Sequence, residues 1–344
     1  MTRYIGVDLH TNTFTVCILQ EGQEEIIQTL PLQKGGLEQF IGKLRPADEV
    51  AVEATGNASY FCRQVQPHVR RVVIIAPWQF EVIRRSVKKT DRHDSRAIAF
   101  FLSKDMLPEA RQKDEEKEQL SSLIATRDQL VKVRVSLLGK VHGMFVRHGL
   151  KVKKEVLTSK KGFNRHVVNH TWSPLEKTEL EIIQNQLDSL LENIKKLENE
   201  IKIFAQAIDG YDNLISIKGI GPLSAAIMLT HIGQIADFKD PGKLAAYFGI
   251  TPRVSQSNAT CTTGRITKRG NKIARTALVQ CTLIAKRYSP YLNNFYEKVK
   301  AKRGTGKAII ATARKLLNTI FYTLKNRWVF EDFTKFTIKP CNLS

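Results

Sequence analysis

Short apolar runs separated by polar turns dominate the first hundred residues. Runs rich in β-branched residues predict strands, and stretches with apolar residues every three or four positions predict helices. The predicted strands are 4–9, 14–19, 25–30, 49–53 and 71–76, and the predicted helices are 37–44, 59–65 and 78–87. Three antiparallel strands followed by alternating helices and parallel strands are typical of a ribonuclease H-like domain.

Two long helices are predicted next, at 113–148 and 174–208. The first has Leu123, Leu130 and Leu137 at heptad spacing. In the second, apolar residues recur in alternating steps of three and four, the a/d pattern of a coiled coil. They are Leu180, Ile183, Leu187, Leu190, Ile194, Leu197, Ile201, Phe204 and Ile208. This apolar a/d seam could pair the two helices within one chain or join two chains. In either case it predicts a helical spacer between the two ends of the protein.

The charge of the chain is unevenly distributed. The 344 residues contain 54 Lys and Arg against 33 Asp and Glu, a net charge of +21. Residues 209–344 hold 22 of these cations and only 7 acids, with no acid between Asp240 and Glu297. Such an excess indicates a polyanionic partner, and nucleic acid is the leading candidate.

Composition also excludes several classes. The five cysteines are far apart, which argues against a disulfide framework or a zinc ribbon. No run approaches the 18 apolar residues of a membrane helix, and the N-terminus lacks a signal-peptide pattern. We therefore expect a soluble cytoplasmic protein, in the bacterial cytosol or nucleoid, with no membrane partner.

Four acids are candidates for chemistry. Asp8 lies in the first apolar strand, where an unpaired charge is costly, and Glu53 ends the fourth strand. Asp91 and Asp94, three residues apart, share one face near a helix start. The pair could simply complement the helix dipole. Together with the two strand acids, however, it favours an oxygen-ligand metal site.

The basic C-terminal segment carries two further patterns. Gly219 and Gly221 lie in an apolar-x-G-x-G turn typical of a helix-hairpin-helix, which binds phosphates through backbone amides. A plain helix–helix turn is the alternative. Residues 247–271 predict a long polar loop rich in hydroxyls. A hydroxyl beside several cations could act as a nucleophile or simply contact phosphate. The cations are Arg253, Arg265, Lys268 and Arg269.

The motifs run in the order G-V-D, V-E-A-T-G, D-R-H-D, I-x-G-I-G-P, G-x-x-P-R-x-x-x-S and G-R-I-T-K-R-G-N. Their order and spacing resemble the DEDD transposases of the insertion-sequence one-ten family, which includes the Piv-type DNA invertases. The resemblance extends from Tyr4 to about Trp328. It implies a RuvC-like nuclease domain joined by a coiled coil to a transposase domain.

The resemblance also implies roles for individual residues. The metal-binding acids would be Asp8, Glu53, Asp91 and Asp94, with Mg²⁺ as the cofactor. A serine nucleophile falls on Ser257, although this chain has Ser257-Asn258 where relatives usually have Ser-Gly. Asparagine tolerates the left-handed backbone that glycine would supply there, and Ser255 stays the alternative. A structured guide RNA, called bridge RNA, would pair with donor and target DNA.

These observations predict an α/β plus α chain. The expected domains are a RuvC-like domain (1–105), a coiled-coil spacer (106–208), a transposase domain with a helix-hairpin-helix (209–330) and a tail (331–344). We expect a site-specific DNA recombinase acting as a homodimer or homotetramer, with an active site that protomers could share. The alternatives are a Holliday-junction-type metal-dependent nuclease, which cuts with water, and a non-enzymatic nucleic-acid binder.

Overall fold

The protein divides into two compact units, Met1–Lys113 and Asp114–Ser344. The computed structural model describes residues 2–20, 26–76, 80, 90–110, 114–257 and 260–330. Within this range, the side chains of residues 255–257, 260, 261 and 263 are not described. The predicted boundary at residue 208, between spacer and transposase domain, stays a prediction.

The first unit is built on a mixed sheet of six strands in the order β3-β2-β1-β4-β5-β6. The first three strands pair antiparallel, and β1, β4 and β5 run parallel. This agrees with the predicted ribonuclease H-like pattern. A sixth, two-residue strand after residue 105 was not predicted. The strands are β1 (Tyr4–Leu9), β2 (Thr13–Leu19), β3 (Ile26–Pro31), β4 (Glu49–Glu53), β5 (Arg71–Ile75) and β6 (Glu109–Ala110).

Within the described residues, three α-helices flank this sheet: α1 (Lys34–Ile41), α2 (Ala58–Val65) and α3 (Asp91–Ser103). On one face, the rings of Phe14, Phe40 and Phe61 pack together with centroids 5.3–5.9 Å apart. The predicted helix at 78–87 falls, apart from Phe80, outside the described residues. The sheet is thus anchored by an aromatic core of the kind that dominates packing energetics.

A glycine sets the distance between α3 and the sheet. A Cβ at Gly6 in β1 would overlap the carbonyl oxygen of Ser95 and the backbone nitrogen of Ala99. Ser95 is fully buried, and its hydroxyl donates to the carbonyl oxygen of Arg92 (3.1 Å). Only glycine permits this contact, so the first turn of α3 lies next to the end of β1.

The second unit is mainly helical. Two long helices, α4 (Glu115–Arg147) and α6 (Pro174–Gln206), are followed by shorter ones around a large apolar core. The connection between the long helices contains α5 (Lys160–Val168). The remaining helices are α7 (Tyr211–Ile215), α8 (Pro222–Ile232), α9 (Pro241–Tyr247), α10 (Lys272–Tyr288), α11 (Pro290–Arg303) and α12 (Thr305–Lys325). None of the helices in the described ranges carries an apolar stretch long enough to cross a bilayer.

The two long helices pair antiparallel within the chain. Lys140 near the end of α4 forms an ion pair with Glu179 near the start of α6 (2.6 Å), and Arg127 contacts Glu198 further along. The apolar seam of α6 is buried from Leu180 to Ile201, with Leu197 partly so. The prediction for Phe204 was wrong, because its side chain is 42% exposed. The buried position falls on Ala205 instead, since after Ile201 the seam advances by four residues rather than three.

The predicted polar loop was also wrong over most of its length. Residues Pro252–Ser257 form β7 and pair antiparallel with β8, Thr260–Ile266. In this segment, hydroxyl residues often stand two positions apart. That spacing is compatible with a two-stranded β-ribbon as well as with a loop. At the base of this hairpin, a Cβ at Gly249 would overlap the carbonyl oxygen of Arg269. Gly249 also has φ +68°, so a side chain there is disfavoured twice.

Candidate active site

Four carboxylates stand near one end of the sheet in the first unit. Asp8 lies near the end of β1, and Glu53 is the last residue of the parallel neighbour β4. Because parallel strands run in the same direction, their carboxyl ends meet at one edge. Asp91 and Asp94 occupy the first turn of α3, which packs across Gly6. The topology therefore brings together the four acids that the sequence singled out.

An unpredicted histidine lies among them. Nε2 of His10 is 3.4 Å from Oδ2 of Asp8 and 3.4 Å from Oδ1 of Asp91. One ligand atom from each of these three residues lies within 4.8 Å of the other two. The side-chain amide of Asn57 donates to the carbonyl oxygens of His10 (3.2 Å) and Thr11 (3.1 Å). These bonds tether the turn that carries the imidazole.

Burial and mutual repulsion perturb the acids. Asp8 is 7% exposed, and burial raises its pKa to about 6. The imidazole of His10 lowers the pKa of Asp8, while Asp91, Asp94 and Glu53 raise it. Burial likewise raises the pKa of Glu53, and Asp94 adds to the rise. Carboxylates held this close repel one another unless a cation compensates them.

The donor set fits a divalent cation. Carboxylate oxygens are the ligands that hard cations such as Mg²⁺ prefer, usually through one or two carboxylates with retained waters. The three-atom group of Asp8, His10 and Asp91 adds an imidazole nitrogen, a donor that suits transition metals as well. Glu53 and Asp94 lie outside this tight group but close enough to act on the pKa of Asp8.

The sequence contained a signal for His10 that composition alone does not reveal. His10 follows Asp8 by two positions at the end of a strand, and residues two apart in a strand point to the same face. A carboxylate and an imidazole in this relation, at the carboxyl end of a strand, are candidates for one site.

The two glycines of the predicted helix-hairpin-helix have different surroundings. Gly219 has φ +108°, and a Cβ there would lie 2.7 Å from the backbone nitrogen of Ala285 in α10. Helix packing thus explains this glycine without a ligand. Gly221 is exposed, with open space where a Cβ would lie, and it precedes α8, which begins at Pro222. Phosphate binding by either glycine stays a prediction.

The four candidate cations belong to the hairpin and the segment after it. Arg253 lies on β7 and Arg265 on β8, and both side chains are exposed. Lys268 has φ +54°, and its backbone nitrogen donates to the carbonyl oxygen of Gly249 (3.0 Å). Arg265 and Lys268 line a common groove of the second unit. Arg253 and Arg269 are not among the residues that line it.

Ser257 is the last residue of β7, and its backbone pairs with Thr260 of β8. It therefore stands next to the hairpin turn, two strand positions beyond Ser255 on the same strand. The side chains of both serines fall outside the described part of the chain. The choice between them stays a prediction.

Comparison with known proteins identifies the family. Residues 5–148, which include all four acids, match the IS110 transposases of DEDD type. Residues 211–297, which include the hairpin, match the Transposase IS116/IS110/IS902 family. The chain carries two IS110-family transposase domains.

Relatives with transposase names cover most of the chain's length. A probable family 20 transposase of Pseudomonas aeruginosa is 27% identical over 80% of this chain and 81% of its own. The transposase for insertion sequence element IS1111A of Coxiella burnetii is 26% identical over 91% of this chain and 87% of its own. A pilin gene-inverting protein of Moraxella bovis is 24% identical over 93% of this chain and 95% of its own. Similarity thus extends both to transposases and to an inversion protein.

Proposed function

We propose that this chain is a site-specific DNA recombinase that excises and inserts an insertion sequence. The observation that carries the proposal is the meeting of Asp8, Glu53, Asp91 and Asp94 in a transposase of this family. Mutually repelling acids at one end of a sheet, one of them the buried Asp8, lower stability, so they are expected where a cation and its chemistry require them.

The four acids would hold Mg²⁺. When bound, the ion supplies positive charge that polarises the scissile phosphate and stabilises the leaving oxygen. Asp8 and Asp91 are the best placed ligands, since their oxygens belong to the tight three-atom group. His10 would orient their carboxylates from the exposed side, because its Nε2 lies 3.4 Å from both.

Ser257 would be the nucleophile, with Ser255 as the alternative. Its hydroxyl oxygen would bond to the scissile phosphorus as the bond to the leaving strand's oxygen breaks. The hydroxyl proton would pass to water, and the leaving oxygen would take up a proton. The hydroxyl at the end of a second DNA strand would then attack the phosphorus bonded to the serine. The serine–phosphorus bond would break, which joins the two DNA strands and returns the serine to its free form. Cations of the hairpin, Arg253 and Arg265, would stabilise the negative charge that develops on the phosphate.

Further features complete the proposed recombinase. The acids belong to the first unit and Ser257 to the second, so protomers of a homodimer or homotetramer could share one active site. The antiparallel pair of α4 and α6 would act as a coiled-coil spacer, and residues 215–222 as a helix-hairpin-helix on DNA. A structured guide RNA, pairing with donor and target DNA, would supply the sequence selectivity that phosphate contacts lack.

Cleavage of donor DNA by acid variants tests the proposal. In the presence of guide RNA and Mg²⁺, Asp8→Asn and Asp94→Asn should lose strand cleavage but keep nucleic-acid binding, because metal ligation and phosphate contact use different residues. Asp105→Asn is a matched control: it is an exposed aspartate of the same unit with φ +52°, which asparagine tolerates. Cleavage at the wild-type rate by either site variant would remove that acid from the catalytic set.

The acid cluster by itself also favours a second function, a structure-selective nuclease of the Holliday-junction type. Such an enzyme would cut with water, and no serine would be needed. The two functions differ in their products, because only the recombinase forms a covalent bond between protein and DNA.

A further inference from the structure

A groove in the second unit combines positive charge with an apolar floor. It lies between the base of the β7–β8 hairpin and helices α11 and α12, and its volume is about 1080 Å³. Six cations line it, and none of the described residues that form its lining is acidic. The cations are Arg265, Lys268, Arg303, Lys307, Arg314 and Lys315.

The cations of α12 are arranged on one side of the helix. Lys307 and Arg314 are seven residues apart, which places them two turns from each other on the same face. Both are exposed, and within the described part of the chain neither forms an ion pair with a carboxylate. Cations that stand close together along a groove repel one another and raise the free energy of the unbound protein. A polyanion bound along the groove would remove this repulsion.

A third cation of α12 is held in place by aromatic side chains. Nζ of Lys315 donates to the hydroxyl of Tyr291 (2.8 Å) and lies 4.4 Å from the ring centroid of Phe295. Both contacts fix the position of the ammonium group before any ligand arrives. A fixed cation loses less conformational entropy on binding than a free surface lysine does.

The floor of the groove is apolar. Phe295 and Val299 from α11 and Ile310 from α12 line it, together with Ile266 from the hairpin. Bases in a duplex are stacked inside the helix, so they cannot contact the apolar side chains of the groove. The exposed bases of a single strand, by contrast, gain from apolar and aromatic contact while their phosphates meet cations.

We propose that this groove binds a single strand of DNA, with phosphates on Arg303, Lys307 and Arg314 and bases against Phe295 and Ile310. The proposal deepens the proposed function and rests on it, since strand cleavage and exchange generate single strands that must be held. It assigns a role to α11 and α12 that the sequence motifs did not suggest.

Binding of a fluorescein-labelled oligothymidine strand to the full-length protein tests this inference. Fluorescence anisotropy would be measured with EDTA present, so that no cleavage occurs. Lys307→Ala/Arg314→Ala should raise Kd on the order of tenfold, and the slope of log K against log salt should fall by about 0.7 for each phosphate that is no longer neutralised. The matched control is Lys298→Ala/Lys302→Ala, which removes two exposed cations of α11 outside the groove.

A charge-keeping pair, Lys307→Arg/Arg314→Lys, should bind as the wild type does, which separates loss of charge from loss of structure. Unchanged affinity in the alanine pair would overturn the inference. So would equal loss of affinity for a duplex, or tighter binding of an oligouridine strand by the wild type. Failure of the proposed function would be seen separately: Asp8→Asn would still cleave DNA, while the groove variants would still lose strand binding.

Discussion

We expect the carboxylate of Asp8 to lower the free energy of unfolding, while the proposed cleavage reaction requires it. It is nearly buried, and three other acids raise its pKa. Asp8→Asn removes the charge and keeps the shape, and the new amide can donate to neighbouring carboxylates. We therefore expect the variant to be more stable than the wild type at neutral pH without metal, although it loses cleavage.

The magnitude follows from the pKa of Asp8. A rise from 3.8 to about 6 corresponds to about 3 kcal/mol. Since asparagine must still bury a polar group, we expect a gain of about 1–3 kcal/mol. The folded protein binds this proton more tightly than the unfolded chain does. The charge of Asp8 therefore costs nothing below about pH 4, and the cost grows between about pH 4 and pH 6 and is complete above about pH 6.

Differential scanning calorimetry of the full-length protein in EDTA would measure this effect. The transition of the first unit should rise by about 4 °C per kcal/mol in Asp8→Asn at neutral pH, and the difference should vanish below about pH 4. Addition of Mg²⁺ should raise the melting temperature of the wild type and leave Asp8→Asn almost unchanged. A variant less stable than the wild type at neutral pH would refute the reasoning, because the carboxylate would then be stabilising without a metal.

Three other changes test the architecture. Gly6→Ala should displace α3, destabilise the first unit by about 1–3 kcal/mol and lower cleavage, whereas Gly35→Ala, which has open space around the new Cβ, should do neither. Leu187→Glu should lower helicity and melting by circular dichroism, because the charge would enter the buried seam with α4. Gly249→Ala should cost at least about 1–2 kcal/mol at its positive φ, while Gly264→Ala should be tolerated; equal melting temperatures for this last pair would contradict the packing at the hairpin base.

The sheet and the four acids could be predicted because their signals are local. Alternating apolar runs specify strands, and a carboxylate such as Asp8 inside one is unusual enough to require an explanation. Asp91 and Asp94 followed from helix spacing. That α3 would place them beside Asp8 depends on Gly6, whose role is visible only when the packed backbones are seen.

Other features could not be predicted because they depend on tertiary contacts. The sequence of the β7–β8 hairpin is mostly polar, so it lacks the apolar–polar alternation that marks a half-buried strand. The seam of α6 was correct up to Ile201, but Ala205 rather than Phe204 is buried, because neighbouring helices decide which residue fits there. The cationic groove joins residues from two helices and a hairpin that are distant in sequence.

One measurement tests the central claim most directly: whether DNA becomes bonded to Ser257. Wild type, Ser257→Ala, Ser255→Ala and Asp8→Asn would be incubated with end-labelled DNA, guide RNA and Mg²⁺, denatured, and examined for labelled protein. We predict an adduct with wild type and Ser255→Ala, and none with Ser257→Ala or Asp8→Asn. An adduct that persists in Ser257→Ala and disappears in Ser255→Ala would move the nucleophile to Ser255. DNA cleavage without any adduct would contradict the account and indicate a nuclease that uses water.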